Sequence, residues 1–268
     1  LEPGRAYHEP FLGSGAVFFH LRARAPRLAA FLSDGNAELI DCWRAIHDDV
    51  DAVIACLGKH LRRHDAEHYY RVRAARPRSK AEKAARFIYL NKTGFNGLYR
   101  VNSKGQFNVP FGRHKNPAIL QADLLRAVSR ALEGVDLRVA GYVEVLERAK
   151  PGDFVYFDPP YDPVSATAYF TSYTRHDFGR EDQERLAEVY RALDARGCRV
   201  MLSNSATPFI KKLYRSFDVR EVLARRHVNS RADRRGPVAE VVVLNYVPGA
   251  GQQRRAADAP ATAYDRAR

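Results

Sequence analysis

The sequence predicts an α/β fold in which one open, largely parallel sheet is interrupted by an inserted helical module. Short apolar runs alternate with amphipathic helical segments before residue 55 and again after residue 135, a pattern typical of parallel strands joined by helices. Between those positions the alternation stops, and the chain becomes helical and basic. The length of 268 residues, 46% of them hydrophobic, suits one large domain with an insertion.

Residues 1–54 are predicted to form two strand–helix units. Apolar residues recur every three or four positions in the helices, whereas the strands are short continuous apolar runs. The predicted elements are a strand ending at residues 7–10, a helix with Val17, Phe18 and Leu21 on one face, a strand over residues 28–32, and a helix over residues 37–46 with Trp43 on its buried side.

The middle segment, residues 55–135, is predicted to be helical, and its basic side chains suggest a surface that faces phosphates. A solvated helical face would also explain such a run of charge. The loop at residues 91–117 favours the phosphate-facing interpretation, because its glycines, asparagines and prolines alternate with apolar residues, which predicts a long hairpin with an apolar tip.

The alternation of strands and helices resumes at Asp136 and continues to Val247. The predicted elements are strands over residues 136–140, 154–157, 199–202, 217–222 and 240–247, with helices over residues 142–149, 181–196 and 208–215. Residues 249–268 lack periodicity and are predicted to be a disordered tail.

Composition limits the possible partners and locations of the protein. A formal net charge of +13 favours a polyanionic partner such as nucleic acid, although charge alone does not decide it. No apolar run has the roughly 20 residues that a membrane-spanning helix needs, which predicts a soluble, intracellular protein. Cys42, Cys56 and Cys198 are scattered, so we expect buried free thiols rather than a zinc site or disulfides.

Two polar features follow the first two predicted strands, at the sheet edge where open α/β folds bind ligands. The stretch EPFLGSG, residues 9–15, is a glycine-bearing turn where backbone N–H groups can approach a ligand closely. Asp34 lies where such folds use a carboxylate to accept hydrogen bonds from a ribose, although a helix cap is the alternative. Together they predict a nucleoside-containing cofactor, and the missing phosphate-binding spacing argues against a dinucleotide.

The third feature is Asp158-Pro159-Pro160-Tyr161, directly after a predicted strand. The exocyclic amine of adenine is a poor nucleophile, because its lone pair is delocalised into the ring. A carboxylate such as Asp158 and the carbonyl of Pro159 can accept its two N–H groups and direct the lone pair at an electrophile. The prolines fix φ and remove backbone donors, and Tyr161 can stack on an extruded base. In isolation, a proline-rich turn that closes a strand is the alternative.

Taken in order, these pieces resemble the Dam-type (class alpha) DNA adenine-N6 methyltransferases. In that family a Phe-x-Gly-x-Gly loop comes first, a target-recognition insertion second, and Asp-Pro-Pro-Tyr third. This chain has Phe11, Gly13 and Gly15, then the loop at residues 91–117, then residues 158–161. The resemblance covers residues 7–247 and is strongest in GFNGLYRVNSKGQFNVPFG and DPPYDPVSATAYFTSYT.

The resemblance implies a Rossmann-like methyltransferase sheet formed by residues 1–54 and 136–248, with residues 55–135 as a target-recognition domain carrying a β-hairpin loop. It implies S-adenosyl-L-methionine as methyl donor, no metal, and double-stranded DNA as substrate. The implied catalytic residues are Asp158, Pro159, Pro160 and Tyr161, and the implied cofactor-binding residues are Glu9, Phe11, Gly13, Gly15, Asp34 and Asp158.

In the hairpin the resemblance implies contacts with DNA. Phe95 and Leu98 match positions that wedge into the base stack around an extruded adenine, with a small local core as the alternative for both. Arg100 matches a base-reading arginine suited to guanine. Asn96 is implied to help hold the opened strands, and Pro110 and Arg113 are implied to contact further bases and phosphates. Phosphate binding that does not depend on sequence is implied for Lys92, Arg86 and residues 225–235.

These implications predict a cytoplasmic, site-specific adenine methyltransferase of a bacterium, archaeon or phage, with GATC as a candidate target and no obligate protein partner. Family members carry Trp-x-Gly-Gly-Lys ahead of the first strand, whereas this sequence begins at Leu1. An inactive or truncated DNA-binding relative is therefore one alternative. A cytosine-N4 methyltransferase is a weaker one, because those enzymes usually carry serine where Asp158 stands. His114 also stands where an aromatic is more usual in the family.

Overall fold

The computed structural model describes residues 4–163, 178–225 and 237–248, and a sheet of seven strands forms its centre. The strands are β1 (Tyr7–Glu9), β2 (Ala30–Asp34), β3 (Asp136–Val139), β4 (Phe154–Phe157), β5 (Arg199–Ser205), β6 (Asp218–Arg225) and β7 (Pro237–Leu244). They lie in the order β3-β2-β1-β4-β5-β7-β6. The pairs β5–β7 and β7–β6 are antiparallel, and the other pairs in this order are parallel. The predicted α/β fold with an open, largely parallel sheet is confirmed.

Four of the helices in the first part of the chain begin directly after a capping side chain. Asn36, Asp49, Asp65 and Ser79 each accept a hydrogen bond from the backbone N–H three residues further on, which satisfies a donor that the first turn leaves unpaired. The helices are α1 (Ala16–Arg24), α2 (Ala37–Asp48), α3 (Val50–Leu61), α4 (Ala66–Ala74), α5 (Lys80–Thr93), α6 (Ala122–Ala131), α7 (Val145–Arg148), α8 (Arg180–Ala195) and α9 (Pro208–Leu213).

The strand order reverses between β1 and β4, which are neighbours in the sheet. From β1 the chain proceeds outward through β2 to β3, whereas from β4 it proceeds the other way to β5. Loops that leave the carboxyl ends of two such strands turn to opposite faces and open a crevice between them. The residues after β1 and β4 are therefore expected to meet at the ligand-binding edge.

Apolar residues pack in three clusters that fix this edge. One cluster lies between β4, β5 and helices α8 and α9, and includes the fully buried Phe157 and Tyr190. A second joins β1 and β2 to α1, α2 and α6 around the fully buried Phe18. The third joins α2 to α3, α4 and α5 around the fully buried Tyr69 and Tyr89. Helix α2 thus belongs both to the core on the sheet and to the core among α3, α4 and α5.

Several predicted elements differ from the structure in extent. The proposed domain boundary at residue 55 falls inside α3, which begins directly after its cap Asp49. The predicted helix over residues 142–149 divides into a 3₁₀ turn, Tyr142–Glu144, and the short α7. Strand β5 continues beyond Leu202 to Ser205, because Asn204 and Ser205 are buried polar residues rather than the start of a loop.

Some sequence predictions concern residues outside the described ranges. They are the stretch from Val164 to Thr174, most of residues 225–235, and the tail at residues 249–268. No helix among the described residues is long and apolar enough to cross a bilayer. Cys42 and Cys198 are buried free thiols as predicted, and Cys56 is a half-buried free thiol.

Candidate functional site

A cavity of about 720 Å³ opens at the carboxyl edge of the sheet, where β1 and β4 end. Residues after β1, β2, β3 and β4 all contribute to its walls, and β7 adds Glu240. The cavity brings together every residue predicted to bind a cofactor except Gly15, and every residue predicted to be catalytic. These are Glu9, Phe11, Gly13, Asp34, Asp158, Pro159, Pro160 and Tyr161.

The loop between β1 and α1 needs its glycines for backbone conformation. Gly13 has φ +47° and Gly15 has φ +66°, both in the left-handed region that residues other than glycine rarely adopt. Gly15 lies directly before α1, and a Cβ there would also meet the ring of Phe19 at 3.0 Å. The loop is therefore compact, and it brings the backbone of Gly13 to the cavity wall.

Asp34, at the end of β2, is fixed by two backbone donors. Its Oδ2 accepts the N–H of Gly13 at 3.1 Å, and its Oδ1 accepts the N–H of Asn36 at 2.8 Å. Burial raises the pKa of Asp34, and the two N–H donors oppose that rise. Because Asn36 rather than Asp34 caps α2, the helix-cap alternative for Asp34 is wrong.

Asp158 and Tyr161, which follow β4, bring polar side chains to the cavity. Asp158 is solvent-accessible within the cavity, yet the surrounding protein raises its pKa to about 6 by desolvation, while a hydrogen bond with Tyr161 opposes that rise. The Tyr161 hydroxyl donates to Glu240 Oε2 at 3.4 Å. The carbonyl of Pro160 accepts Gln183 Nε2 at 2.9 Å, which ties this loop to α8.

A buried polar network behind residues 158–161 holds them in position, and the sequence did not reveal it. Asn204 Oδ1 accepts the backbone N–H of Asp162 at 3.0 Å, and Thr207 Oγ1 donates to Asp162 Oδ2 at 2.7 Å. Asn204 Nδ2 also donates to Gln183 Oε1 at 3.1 Å. The available signal was the polar run SNSAT at residues 203–207, directly after an apolar strand.

Glu9 is buried at the base of the cavity beside Tyr7. The Tyr7 hydroxyl donates to Glu9 Oε2 at 2.8 Å. Burial and the charge of Asp158 raise the pKa of Glu9 to about 8, and the bond from Tyr7 opposes that rise. Burial, and then the charge of Glu9, raise the pKa of Tyr7.

Aromatic rings form one wall of the cavity. Phe11 stacks on Tyr142 with ring centroids 5.4 Å apart, and Phe178 meets both rings edge-on at 5.7 and 5.8 Å. Only Phe11 was predicted from the sequence. Tyr142 and Phe178 belong to a 3₁₀ turn and to a loop, so no period in the sequence linked them to this wall.

Residues 94–117, called the hairpin below, follow α5. Antiparallel bridges join Gly94 to Phe111 and Val101 to Phe107, which supports the predicted hairpin. The prediction of an apolar tip is wrong, because the turn between the arms is polar and exposed over residues 103–106. The apolar side chains instead pack under the hairpin, against the cluster around Tyr69 and Tyr89.

The hairpin lies near the cavity edge, because it contacts the start of α2. The Tyr99 hydroxyl donates to Glu38 Oε2 at 3.0 Å, and Glu38 is in the first turn of α2, close to cavity residue Gly35. Helix α4 holds the other arm: Tyr69 and Arg73 donate to the carbonyl of Val109 at 3.0 and 3.1 Å.

The side chains predicted to contact DNA are mostly exposed. Phe95 is 43% exposed although it is a large apolar residue, and Asn96 beside it has φ +53°. Arg100 donates through Nε to Asn108 Oδ1 at 2.8 Å. Leu98 is half-buried against the cluster under the hairpin, which favours the local-core alternative for part of its surface. The other exposed members are Lys92, Pro110 and Arg113.

Arg86 does not belong to this surface, and its predicted role in phosphate binding is wrong. Its side chain is buried and donates to the carbonyls of Val72 and Arg73 at 3.0 and 2.8 Å. Carbonyls at the end of a helix have no partner within the helix, and here Arg86 satisfies them. It therefore stabilises the end of α4.

Comparison with known proteins identifies the family of the chain. The family described as D12 class N6 adenine-specific DNA methyltransferase matches residues 2–228. The chain is 42% identical over 248 residues to the type II methyltransferase M1.LlaDCHI of Lactococcus lactis subsp. cremoris, which covers 90% of this chain and 86% of that protein. It is 42% identical over 257 residues to the type II methyltransferase M.MjaIII of Methanocaldococcus jannaschii, covering 90% and 89%. It is 35% identical over 253 residues to the DNA adenine methylase of Escherichia coli K12, covering 93% and 89%.

Proposed function

Because the chain belongs to the D12 class of N6 adenine-specific DNA methyltransferases, we propose that it transfers a methyl group from S-adenosyl-L-methionine to the N6 amine of an adenine in double-stranded DNA. One observation carries the proposal: Asp158, Pro159, Pro160 and Tyr161 face the same cavity as Asp34 and the glycine loop. The acceptors that an adenine amine needs therefore adjoin the residues suited to a nucleoside-containing donor.

The residues of the cavity fit such a donor. Its volume of about 720 Å³ lies within the range of about 300–1,000 Å³ that is usual for small-molecule sites. Asp34 would accept the ribose hydroxyls, and the Phe11 wall would contact the adenine ring. When bound, S-adenosyl-L-methionine supplies a methyl group on a positively charged sulfur. The residues proposed to hold it are Glu9, Phe11, Gly13, Gly15, Asp34 and Asp158.

Asp158 and Pro159 would activate the target amine. The ionised carboxylate of Asp158 accepts one N–H group of the adenine N6, and the carbonyl of Pro159 accepts the other. These two bonds reduce the delocalisation of the nitrogen lone pair into the ring and direct it at the methyl carbon. As the nitrogen attacks the methyl carbon, the bond from that carbon to sulfur breaks and its electron pair leaves with the sulfur, which gives neutral S-adenosyl-L-homocysteine. The methylated nitrogen then carries a positive charge, and it loses its extra proton to Asp158 or to water. No metal takes part in this proposal.

An adenine inside a duplex cannot reach the cavity, so it must leave the base stack. Tyr161 would stack on the face of the extruded base. Phe95 is suited to filling the gap in the duplex, because its ring is exposed on a hairpin that lies near the cavity. Such unstacking costs about a few kcal/mol per step.

The segment from α3 to α6, with its hairpin, is proposed to choose the target sequence; residues 55–135 mark its approximate extent. Arg100 would read a guanine in the major groove. Asn96 and Pro110 would contact the opened strands and bases, and Lys92 and Arg113 would bind phosphates with little sequence preference. GATC is the candidate target carried over from the resemblance.

Mapping the product on DNA tests the proposal directly. The purified chain is incubated with S-adenosyl-L-methionine and unmethylated plasmid, and N6-methyladenine is located by a sequencing method that detects it. We expect methylation confined to one short motif. A protein that binds duplex DNA but leaves no methylated base would favour the inactive DNA-binding alternative, and methylcytosine as product would favour the cytosine-N4 alternative.

A further inference from the structure

Tyr7 and Glu9 form a buried pair at the boundary between the core and the cavity. Their exposed fractions are 0% and 2%, and the Tyr7 hydroxyl donates to Glu9 Oε2 at 2.8 Å. Residues two apart in a strand lie on the same face, which is why the pair can form within β1. Glu9 also lines the cavity, and the charge of Asp158, another lining residue, acts on its carboxyl group.

The titratable groups around Glu9 carry negative charge or none. Asp158 is close enough for its charge to raise the pKa of Glu9, and Tyr7 is the side chain that donates to it. Among the described residues, no lysine, arginine or histidine forms an ion pair with Glu9 or Asp158. The titratable members of the cavity are Glu9, Asp34, Tyr142, Tyr156, Asp158, Tyr161 and Glu240.

We propose that the Tyr7–Glu9 pair makes the cavity select the positively charged methyl donor over its neutral demethylated product, with Tyr7 as the positioning residue for the Glu9 carboxyl group. The inference rests on the proposed function. Donor and product differ by one methyl group and by the positive charge on sulfur. A buried carboxylate without a cationic partner is costly, and a cationic ligand removes that cost. Glu9 therefore releases its proton to solvent when the donor binds and keeps it when the product binds.

This coupling gives donor binding a characteristic dependence on pH. With a pKa of about 8, Glu9 is protonated in the empty cavity below that pH. Donor binding must then displace the proton, so donor affinity falls by up to about tenfold for each pH unit below 8. Product binding displaces no proton from Glu9. The amino group is common to both compounds, but the positive charge on sulfur lowers its pKa in the donor. Proton release is therefore compared at the lower end of the pH range, where the amino group is protonated in both compounds.

Calorimetry with the full chain tests the inference. S-adenosyl-L-methionine and S-adenosyl-L-homocysteine are titrated between pH 6.5 and 9, in two buffers that differ in ionisation enthalpy. We expect the preference for the donor over the product to rise with pH up to about 8 and then to level off. At pH 6.5, binding of the donor should release one more proton than binding of the product. Asp158 has a pKa of about 6, below this window.

Two variants separate the roles of the pair. Glu9→Gln should give a preference that does not change with pH. Tyr7→Phe removes the hydroxyl that stabilises the ionised carboxyl, so the rise should move to higher pH. Tyr190→Phe is the matched control, because Tyr190 is also fully buried and its hydroxyl donates to the carbonyl of Val200, outside the cavity. It should keep the wild-type profile.

Each outcome decides something. A flat donor preference in a protein that binds both compounds and methylates DNA overturns this inference and leaves the proposed function intact. A wild-type profile in Tyr7→Phe overturns the role of Tyr7, and one in Glu9→Gln overturns that of Glu9. A protein that binds neither compound overturns the proposed function, and this inference falls with it.

Discussion

The loop after β4 and the hairpin both carry proposed functional residues, but different kinds of contact hold them. The backbone N–H of Asp162 donates to Asn204 of β5, and its carboxylate accepts from Thr207, the cap of α9. The carbonyl of Pro160 accepts from Gln183 of α8, so the loop is anchored in the core. The hairpin is anchored mainly through its backbone carbonyls and buried rings, and its charged side chains are exposed.

This difference separates what each region can do. Side chains in the cavity are fixed and partly desolvated, so their pKa values shift and they can perform chemistry. Side chains on the hairpin are solvated and can change partner, which suits contact with DNA bases and phosphates. A substitution in the cavity should therefore alter methyl transfer while DNA binding persists. A substitution in the hairpin should alter the choice of sequence while donor binding persists.

Replacement of Asp158 should have the largest effect and should be confined to chemistry. Asp158→Ala removes the proposed acceptor for the adenine N–H, and we expect methyl transfer to fall roughly 10²–10⁴-fold. Single-turnover rates with a radiolabelled donor measure the loss, and a filter or gel assay measures DNA binding. Asp123→Asn is the matched control, since Asp123 is fully exposed on α6 and remote from the cavity.

The rate of Asp158→Ala and the pH profile of the wild type test whether Asp158 is catalytic. If the variant methylated at the wild-type rate, the catalytic assignment would be wrong. In the wild type, ionised Asp158 is the active form in this proposal, so the rate should rise with pH through about 6, the pKa to which desolvation by the surrounding protein raises this group. A rate that is constant from pH 5 to 8 would contradict that assignment.

Crowding the base of the hairpin should weaken DNA binding without affecting the donor. A Cβ on Gly112 would lie 2.7 Å from the carbonyl oxygen of Gly94, so Gly112→Ala must separate the two arms. Overpacking of this kind costs about 1–3 kcal/mol. We expect roughly tenfold to hundredfold weaker binding to target DNA. Gly179→Ala is the control, because nothing lies within 4 Å of its added methyl group. Equal loss of donor affinity in Gly112→Ala would show that the two regions are not separable.

Replacement of Arg100 should change which sequence is methylated. Its Nε donates to Asn108, and in the proposed role the two terminal nitrogens would donate to the O6 and N7 acceptors of guanine. Arg100→Ala should cost about 1–3 kcal/mol of discrimination at one base pair. Methylation of a plasmid library with every variant of the motif measures this. Asn108→Ala should relax the preference at the same base pair to a smaller extent. An unchanged preference in Arg100→Ala would show that Arg100 does not read a base.

Sequence alone predicted the sheet and the residues at its edge, because both leave local patterns. Apolar runs marked the strands, and the glycines and prolines of residues 9–15 and 158–161 marked the turns that follow β1 and β4. Contacts between distant segments left no such pattern. Asn204 of β5 and Gln183 of α8 support the loop after β4. Arg86 is buried although it belongs to a basic stretch of the sequence, and it donates to a backbone carbonyl. A charge run predicts a surface on average, but it does not identify the member that satisfies a buried carbonyl.

Acidification should weaken the segment under the hairpin before it weakens the sheet, and this is the smallest effect expected. His60 packs on Tyr89 with ring centroids 4.9 Å apart, and its Nδ1 lies 3.0 Å from Nε2 of His68. Burial first, and then the nearby charges of His68, Arg63 and Lys59, lower the pKa of His60 to about 4. The unfolded chain therefore binds more protons than the folded one between about pH 4 and the ordinary histidine pKa of about 6.5. The contribution of His60 to stability is complete above pH 6.5 and declines as the pH falls through that window.

Hydrogen exchange measured at pH 6.5 and at pH 5 tests this prediction. Exchange should accelerate more in α3 to α5 than in β4 and β5, and His60→Gln should reduce the difference. Equal acceleration in both regions would mean that the histidines do not set the pH response of the segment that carries the hairpin.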